Sequence, residues 1–257
     1  MKLSTQAFSV AVLSCMTAGT AMAAEDTALS QMGLSFSGSA AATSDYRFRG
    51  ITQTQSDPAV QAGFTLAHTS GLYAGAWGSN VSFGSDSPSL ELDPYIGYST
   101  TLEAIGSKPV LDVGVWYYNY PGSSDLNWAE LYGKLTFKNA VAEGDSILTN
   151  INYTNDYAGV KADSWNVNLG YSVPFGATGF GGVFGVGYTT VDEDKYSFNG
   201  DDNYVDWKAG VTYGFKSVSG LSAELAAIGT NTETAGLTHA QKRAVETGAV
   251  FTLTKAF

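Results

Sequence analysis

VLDVGVWYYNYPGSSDLNWAELYGKLTF, residues 110–137, is the stretch on which the fold turns. In its first part Leu111, Val113, Val115 and Tyr117 fall on one face of an extended chain, and Asp112, Gly114, Trp116 and Tyr118 on the other. PGSSD then supplies a turn. After it, Ala129, Leu131, Gly133, Leu135 and Phe137 oppose Glu130, Tyr132, Lys134 and Thr136. A period of two gives a strand one apolar and one polar face, whereas a helix would need a period near 3.6.

The same division recurs along the chain. In 163–173, Trp165, Val167, Leu169, Tyr171 and Val173 oppose Ser164, Asn166, Asn168, Gly170 and Ser172. In 204–215, Val205, Trp207, Val211, Tyr213 and Phe215 oppose Tyr204, Asp206, Lys208 and Thr212. About twelve strands are expected, at 33–50, 58–68, 71–81, 89–100, 109–120, 127–138, 146–156, 163–174, 181–190, 203–216, 220–229 and 244–256. The segment His239 to Glu246 is expected to form a helical turn within a loop.

The connections alternate as well. HTSG, FGATG and SVSG are tight, and TLEAIGSK and NAVAEGD somewhat longer. The intervening ones, such as SFGSDSPS, NDYAGVKAD, VDEDKYSFNGDDN and TNTETAGLTHAQKR, are longer and polar or acidic. Short turns on one rim, long loops on the other and an even strand number describe an all-β fold, a transmembrane antiparallel up-and-down barrel of the outer-membrane kind. A soluble β-sandwich would alternate too, but its edges are ordinarily guarded by Lys and Pro, and the polar faces here are poor in Lys. Aromatics at strand ends (Tyr118, Tyr120, Trp128, Tyr153, Tyr157, Trp165, Tyr204) are expected to form an interfacial girdle.

The first residues read as a secretory leader. Lys2 precedes an apolar stretch that ends in Ala21-Met22-Ala23, so residues 1–23 are expected to be a signal peptide and 24–257 the barrel. Val12-Leu13-Ser14-Cys15 is a poorer, lipoprotein-like alternative. Cleavage removes Cys15, the only cysteine, and with it any thiol or disulfide chemistry. The whole chain has 13 Lys and Arg against 24 Asp and Glu; without Lys2 that becomes 12 against 24, a net charge of −12. Such acidity argues against nucleic acid as a partner, because phosphate contacts need a basic face.

Several ordered blocks resemble a known family. SDYRFRGITQTQSDPAVQAGF (44–64), SGLYAGAWGSNV (70–81), LELDPYIGY (90–98), DVGVWYYNYPG (112–122), LNWAELYGKLTF (126–137) and VDWKAGVTYGF (205–215) are similar to the TorF-like (Gcw_chp) porin family of Gram-negative bacteria. The resemblance implies an outer-membrane barrel with channel activity and names no solute. The segment 216–243 matches least well.

Charge on a lipid-facing side is costly, so charged strand residues are expected to point into the lumen. That rule places Asp45, Arg47, Arg49, Glu91, Asp93, Asp112, Glu130, Lys134, Asp206 and Lys208 inside as pore-lining residues, with Glu224 and Glu246 beside them. Tyr46 and Phe48 are then expected to face lipid, at the outer end of the first strand. Four cations against eight acids favour cations or polar neutral solutes. Arg47 and Arg49 are expected to pair with Glu91, Asp93 or Glu130 and to narrow the bore.

The expected partners are outer-membrane lipid, small hydrophilic solutes, and the barrel-assembly machinery, which would read the terminal Phe257 on the face of Phe251 and Leu253. No enzyme is expected: His68 and His239 fall in a turn and a loop, away from a candidate serine. No cofactor or metal motif occurs, and VDEDKYSFNGDD is explained as a solvated loop. The alternative function is a non-conducting structural or surface-binding barrel that acts through its long loops.

Overall fold

The structure, a computed structural model, describes residues 28–84 and 87–257; the leader expected at 1–23 lies outside the described residues. A single helical turn, α1 (Ala28–Gln31), leads into β1 (Leu34–Thr43). A small hairpin of β2 (Arg47–Phe48) and β3 (Ile51–Thr52) follows. Then come β4 (Ala59–His68), β5 (Leu72–Asn80), β6 (Leu90–Thr101), β7 (Val110–Tyr118) and β8 (Trp128–Lys138). The chain continues through β9 (Ser146–Tyr157), β10 (Ala162–Pro174), β11 (Phe180–Val191), β12 (Asn203–Gly214) and β13 (Leu221–Thr230). Helix α2 (His239–Val245) precedes the last strand, β14 (Gly248–Ala256).

Twelve strands, β1 and β4 to β14, close into an antiparallel barrel. Each pairs with its sequence neighbours, and β1 joins β14 in a register running from Ser39↔Ala256 to Thr43↔Thr252. Closure leaves no open edge strand, since each strand of the wall is hydrogen-bonded to a neighbour on either side.

The side-chain alternation is inverted relative to a soluble sheet. Val60, Ile96, Leu131, Val167 and Leu225 point outward and are exposed, Val60 by 71 %. Glu91, Asp93, Asn166 and Thr189 point inward and are buried. An apolar band around a polar interior is the arrangement of a transmembrane barrel.

Ten of the expected strands lie within two residues of their expected ends, and the first and last depart from expectation. β1 stops at Thr43 instead of 50: Ser44 exchanges backbone and side-chain hydrogen bonds with Phe251 (2.8 and 2.9 Å) and the chain then turns into the lumen. β14 starts at Gly248 instead of 244, because Thr238 and Gln241 form a capping box that nucleates α2. Glu246 therefore sits at the C-cap of α2, exposed, and not on a lumen-facing strand. NDYAGVKAD, expected to be a longer loop, is tight, since β9 and β10 extend to leave only 158–161 between them.

The expected girdle also changes. Tyr153 and Trp165 pack on the outer surface with ring centroids 4.6 Å apart and planes tilted by 39°. Tyr118, Tyr120, Trp128, Tyr157 and Tyr204 are buried inside. Their parity requires this, because Tyr118 shares the face of Asp112, and Trp128 that of Glu130.

At the opposite rim the turn 139–145 is held by one carboxylate. Asp145 accepts the N–H groups of Ala140 (2.7 Å), Val141 (3.0 Å) and Ala142 (2.8 Å) and the Tyr171 hydroxyl (3.0 Å). Burial alone would raise its pKa, but these four donors outweigh it and hold the carboxyl below its ordinary value.

Candidate lumen site

The sequence Arg47-Phe48-Arg49-Gly50-Ile51-Thr52 makes the hairpin that carries the site. Phe48 pairs with Ile51 and Arg47 with Thr52, leaving Arg49 and Gly50 as the two turn residues. Both have positive φ (48° and 82°), the requirement of a type I′ turn. Gly50 is also a point of close approach: a Cβ there would lie 2.6 Å from Thr230 Cγ2 and 2.8 Å from the Gly229 carbonyl.

Inside the barrel the hairpin lies across the lumen as a crossbar. On one side Phe48 sits edge-on to Tyr118 (5.5 Å between centroids) and Trp128 (6.5 Å), and Tyr46 packs edge-on to Trp77 (5.3 Å). Tyr46 and Phe48 therefore face the interior and not lipid, because both faces of an enclosed hairpin meet protein. On the other side Arg47 is tied to its surroundings. Its Nη1 donates to the carbonyls of Gly50 (3.0 Å), Ile228 (3.3 Å) and Glu246 (2.7 Å), and its Nη2 to that of Arg243 (3.3 Å).

The two arginines pair differently. Arg47 Nε donates to Asp45 Oδ2 at 2.7 Å, a neighbour two residues away, and not to Glu91, Asp93 or Glu130. Asp45 is held in turn by the Thr52 hydroxyl. Arg49 reaches across to Glu130, its Nη2 lying 2.7 and 2.8 Å from the two carboxylate oxygens, and it rests 4.6 Å above the Phe48 ring. Tyr118 donates to the same carboxylate at 3.2 Å and stacks on Trp128 at 4.1 Å.

The remaining charged residues also point inward. Lys208 bridges Glu224 at 2.5 Å. Lys134 lies over the Tyr132 ring at 4.2 Å and faces Asp112 in the β7–β8 register. Asp112 accepts the Tyr73 hydroxyl. Asp93 accepts the Trp116 indole N–H (2.8 Å) and the Asn119 N–H (3.1 Å). Glu91 accepts the Tyr120 hydroxyl at 3.2 Å.

A cavity of about 200 Å³ brings most of this set together: Asp45, Arg47, Arg49, Asp93, Glu130, Lys134, Asp206, Lys208 and Glu224 all line it. Glu91 and Asp112 do not reach it. A second cavity of about 300 Å³ lies at the long-loop rim, lined by Ser44, Asp45, Arg47, Arg243, Glu246 and Thr247 among others. Asp45 and Arg47 line both, so their ion pair stands between the two spaces.

The lumen is lopsided. On β5 to β8 the inward positions carry Tyr73, Trp77, Tyr95, Trp116, Tyr118, Trp128 and Tyr132. On β9 to β12 they are mostly small or amide side chains such as Asn150, Asn152, Asn168, Gly170 and Thr212. The sequence reading put Asn168, Trp116, Tyr118 and Tyr132 on polar faces without counting them as pore lining, and missed Asn150, although strand parity places each of them inside.

His68 ends β4 at the short-turn rim, while His239 begins α2 at the opposite rim. His68 Nδ1 meets the Ser70 hydroxyl at 2.8 Å and accepts the Ser70 N–H, which makes it a local turn contact. Among the described residues no cluster of His, Cys, Asp and Glu is arranged to hold a metal ion, and Asp192 of the acidic loop pairs with Lys195 at 3.0 Å.

Residues 27–257 match the family model described as "Bacterial protein of unknown function (Gcw_chp)". No curated protein is matched by the sequence. Among solved structures a NanC porin shares the fold at a TM-score of 0.52 and 10% identity, over 87% of this chain and 99% of that one. Two others resemble it more loosely. The COG4313 outer membrane channel from Pseudomonas putida F1 gives a TM-score of 0.44 at 11% identity, over 88% and 96% of the two chains. LpxR from Salmonella typhimurium gives 0.46 at 9%, over 86% and 99%.

Proposed function

We propose, from the premise that this chain belongs to the Gcw_chp family, that it is a porin-like channel of the outer membrane through which small hydrophilic solutes diffuse. One observation carries the reading: an apolar outer surface surrounds a charged interior, with a cavity on each side of the Asp45–Arg47 pair. A charged lumen that retains free volume suits passage of hydrated solutes. Asp45, Arg47, Arg49, Asp93, Glu130, Lys134, Asp206 and Lys208 are the proposed pore lining, with Glu91 and Asp112 in the wall around it. The leader read in residues 1–23 supports export, and the exposed Phe257, stacked 6.4 Å from Phe36, supports recognition by the barrel-assembly machinery.

The experiment is conductance in a planar bilayer. Refolded barrel should give discrete current steps with a reversal potential that favours cations. Absence of both steps and solute leakage from loaded vesicles sinks the reading.

A second reading is favoured by the hairpin itself. Tied to Glu130 on one wall and to Ile228 on another, it spans the bore. A barrel so plugged would be non-conducting and would act through its long loops. The same recording separates the two.

A further inference from the structure

We propose that the lumen cavity beside the hairpin is a binding site for small zwitterions that carry both a carboxylate and a primary ammonium group, solutes of the α-amino acid type. This deepens the channel reading and rests on it for the path by which the solute arrives.

The argument starts from polar groups left over after the ion pairs are made. The Arg49 and Glu224 side chains are 10% and 9% exposed. Each still has one atom, Nη1 and Oε2, without a hydrogen-bond partner among the described residues. Asp206 Oδ2, Asn150 Oδ1 and Asn168 Oδ1 are in the same state. All five residues line the one cavity. The hairpin turn abuts the acidic wall: a Cβ on Gly50, next to Arg49, would lie 2.9 Å from Asp206 Cβ.

Buried polar atoms without partners are costly, and a charged one more so. The chemistry of these five decides what satisfies them. Four are acceptors, two of them on carboxylates, and one is a guanidinium donor. An inorganic cation would answer the acceptors and leave the guanidinium. A simple anion would answer the guanidinium and meet the acids. An ammonium group is donor-only with three protons, enough for both carboxylates and one amide oxygen, and a carboxylate is acceptor-only and answers the guanidinium, so a solute carrying both answers both signs of the set. The space of about 200 Å³ compares with about 30 Å³ for each water in the liquid, which suits one small solute displacing several waters. Trp116 and Tyr118 complete the lining and offer ring surface to an aliphatic side chain.

Titration calorimetry on the refolded, detergent-solubilised barrel tests this without requiring conduction. The probe is L-alanine, compared with propionate, ethylammonium and lactamide, which keep one charge or neither. L-Alanine should bind saturably and each analogue at least about tenfold more weakly, as loss of a charge-assisted bond implies. Asp206→Asn should weaken L-alanine at least about tenfold in protein that still shows the heat-shifted gel mobility of a folded barrel. The proposal is overturned by no saturable heat with L-alanine, by equal binding of lactamide, or by unchanged affinity in folded Asp206→Asn. Bilayer recording reads the channel separately. Current steps without L-alanine binding remove the site and keep the channel; binding without steps removes the channel and keeps the site.

Discussion

Arg49 has Nη2 clasped by Glu130 and Nη1 buried without a partner among the described residues. Removing it has two consequences of different kinds. Arg49→Ala leaves Glu130 buried opposite nothing, and breaking a buried pair from one side costs about 3 kcal/mol. Urea unfolding of the vesicle-embedded barrel should record that loss, and Arg49→Ala/Glu130→Gln should recover part of it. In the proposed channel the charge would act on permeation as well. With one lumen cation gone, the reversal potential under a salt gradient should move further toward cations; an unmoved potential would put Arg49 outside the conducting path. The pairing with Glu130 was legible in the sequence as one of three options. The Arg47–Asp45 pair was not, because neighbours two residues apart on a strand point the same way without bending toward each other, and only the hairpin curls them into contact.

At the scale of elements, the β2–β3 hairpin is the feature that the strand pattern concealed. SDYRFRGITQTQ alternates as well as any barrel strand, since an enclosed hairpin has no lipid face to distinguish. The available signal was the Arg49-Gly50 pair between two β-forming dipeptides, a type I′ turn in waiting. Gly50 gives the element its test. Gly50→Val forces a β-branched residue to positive φ and drives its Cβ into Thr230 and Gly229. The strain of about 1–3 kcal/mol should undock the crossbar and raise single-channel conductance. Unchanged conductance in a folded Gly50→Val barrel would show that the hairpin does not set the bore. The inner aromatics show the converse case: Tyr118 shares a face with Asp112 and Trp128 with Glu130, and this parity overrides the interfacial girdle expected of them from their position near strand ends.

At the scale of the molecule, closure and inversion of polarity were readable, because twelve alternating segments joined by unequal loops leave few other arrangements. Val167 lies on the outer face near the middle of β10. Val167→Arg should cost about 2–4 kcal/mol for a charge placed in lipid near the bilayer midplane, measured by denaturant titration in vesicles, whereas a lumen-facing substitution at Asn168 should cost far less. The carbonyls that hold the crossbar come from the far end of the chain. Arg47 and its acceptors at Ile228, Arg243 and Glu246 are separated by 181, 196 and 199 residues. Contacts so distant in sequence form only after a long loop has been closed. The hairpin finds Trp77, Tyr118, Trp128 and Glu130 once β5 to β8 are in place, but Arg47 has no distant carbonyls to grip until β13, α2 and β14 arrive, so that side of the crossbar is fastened last.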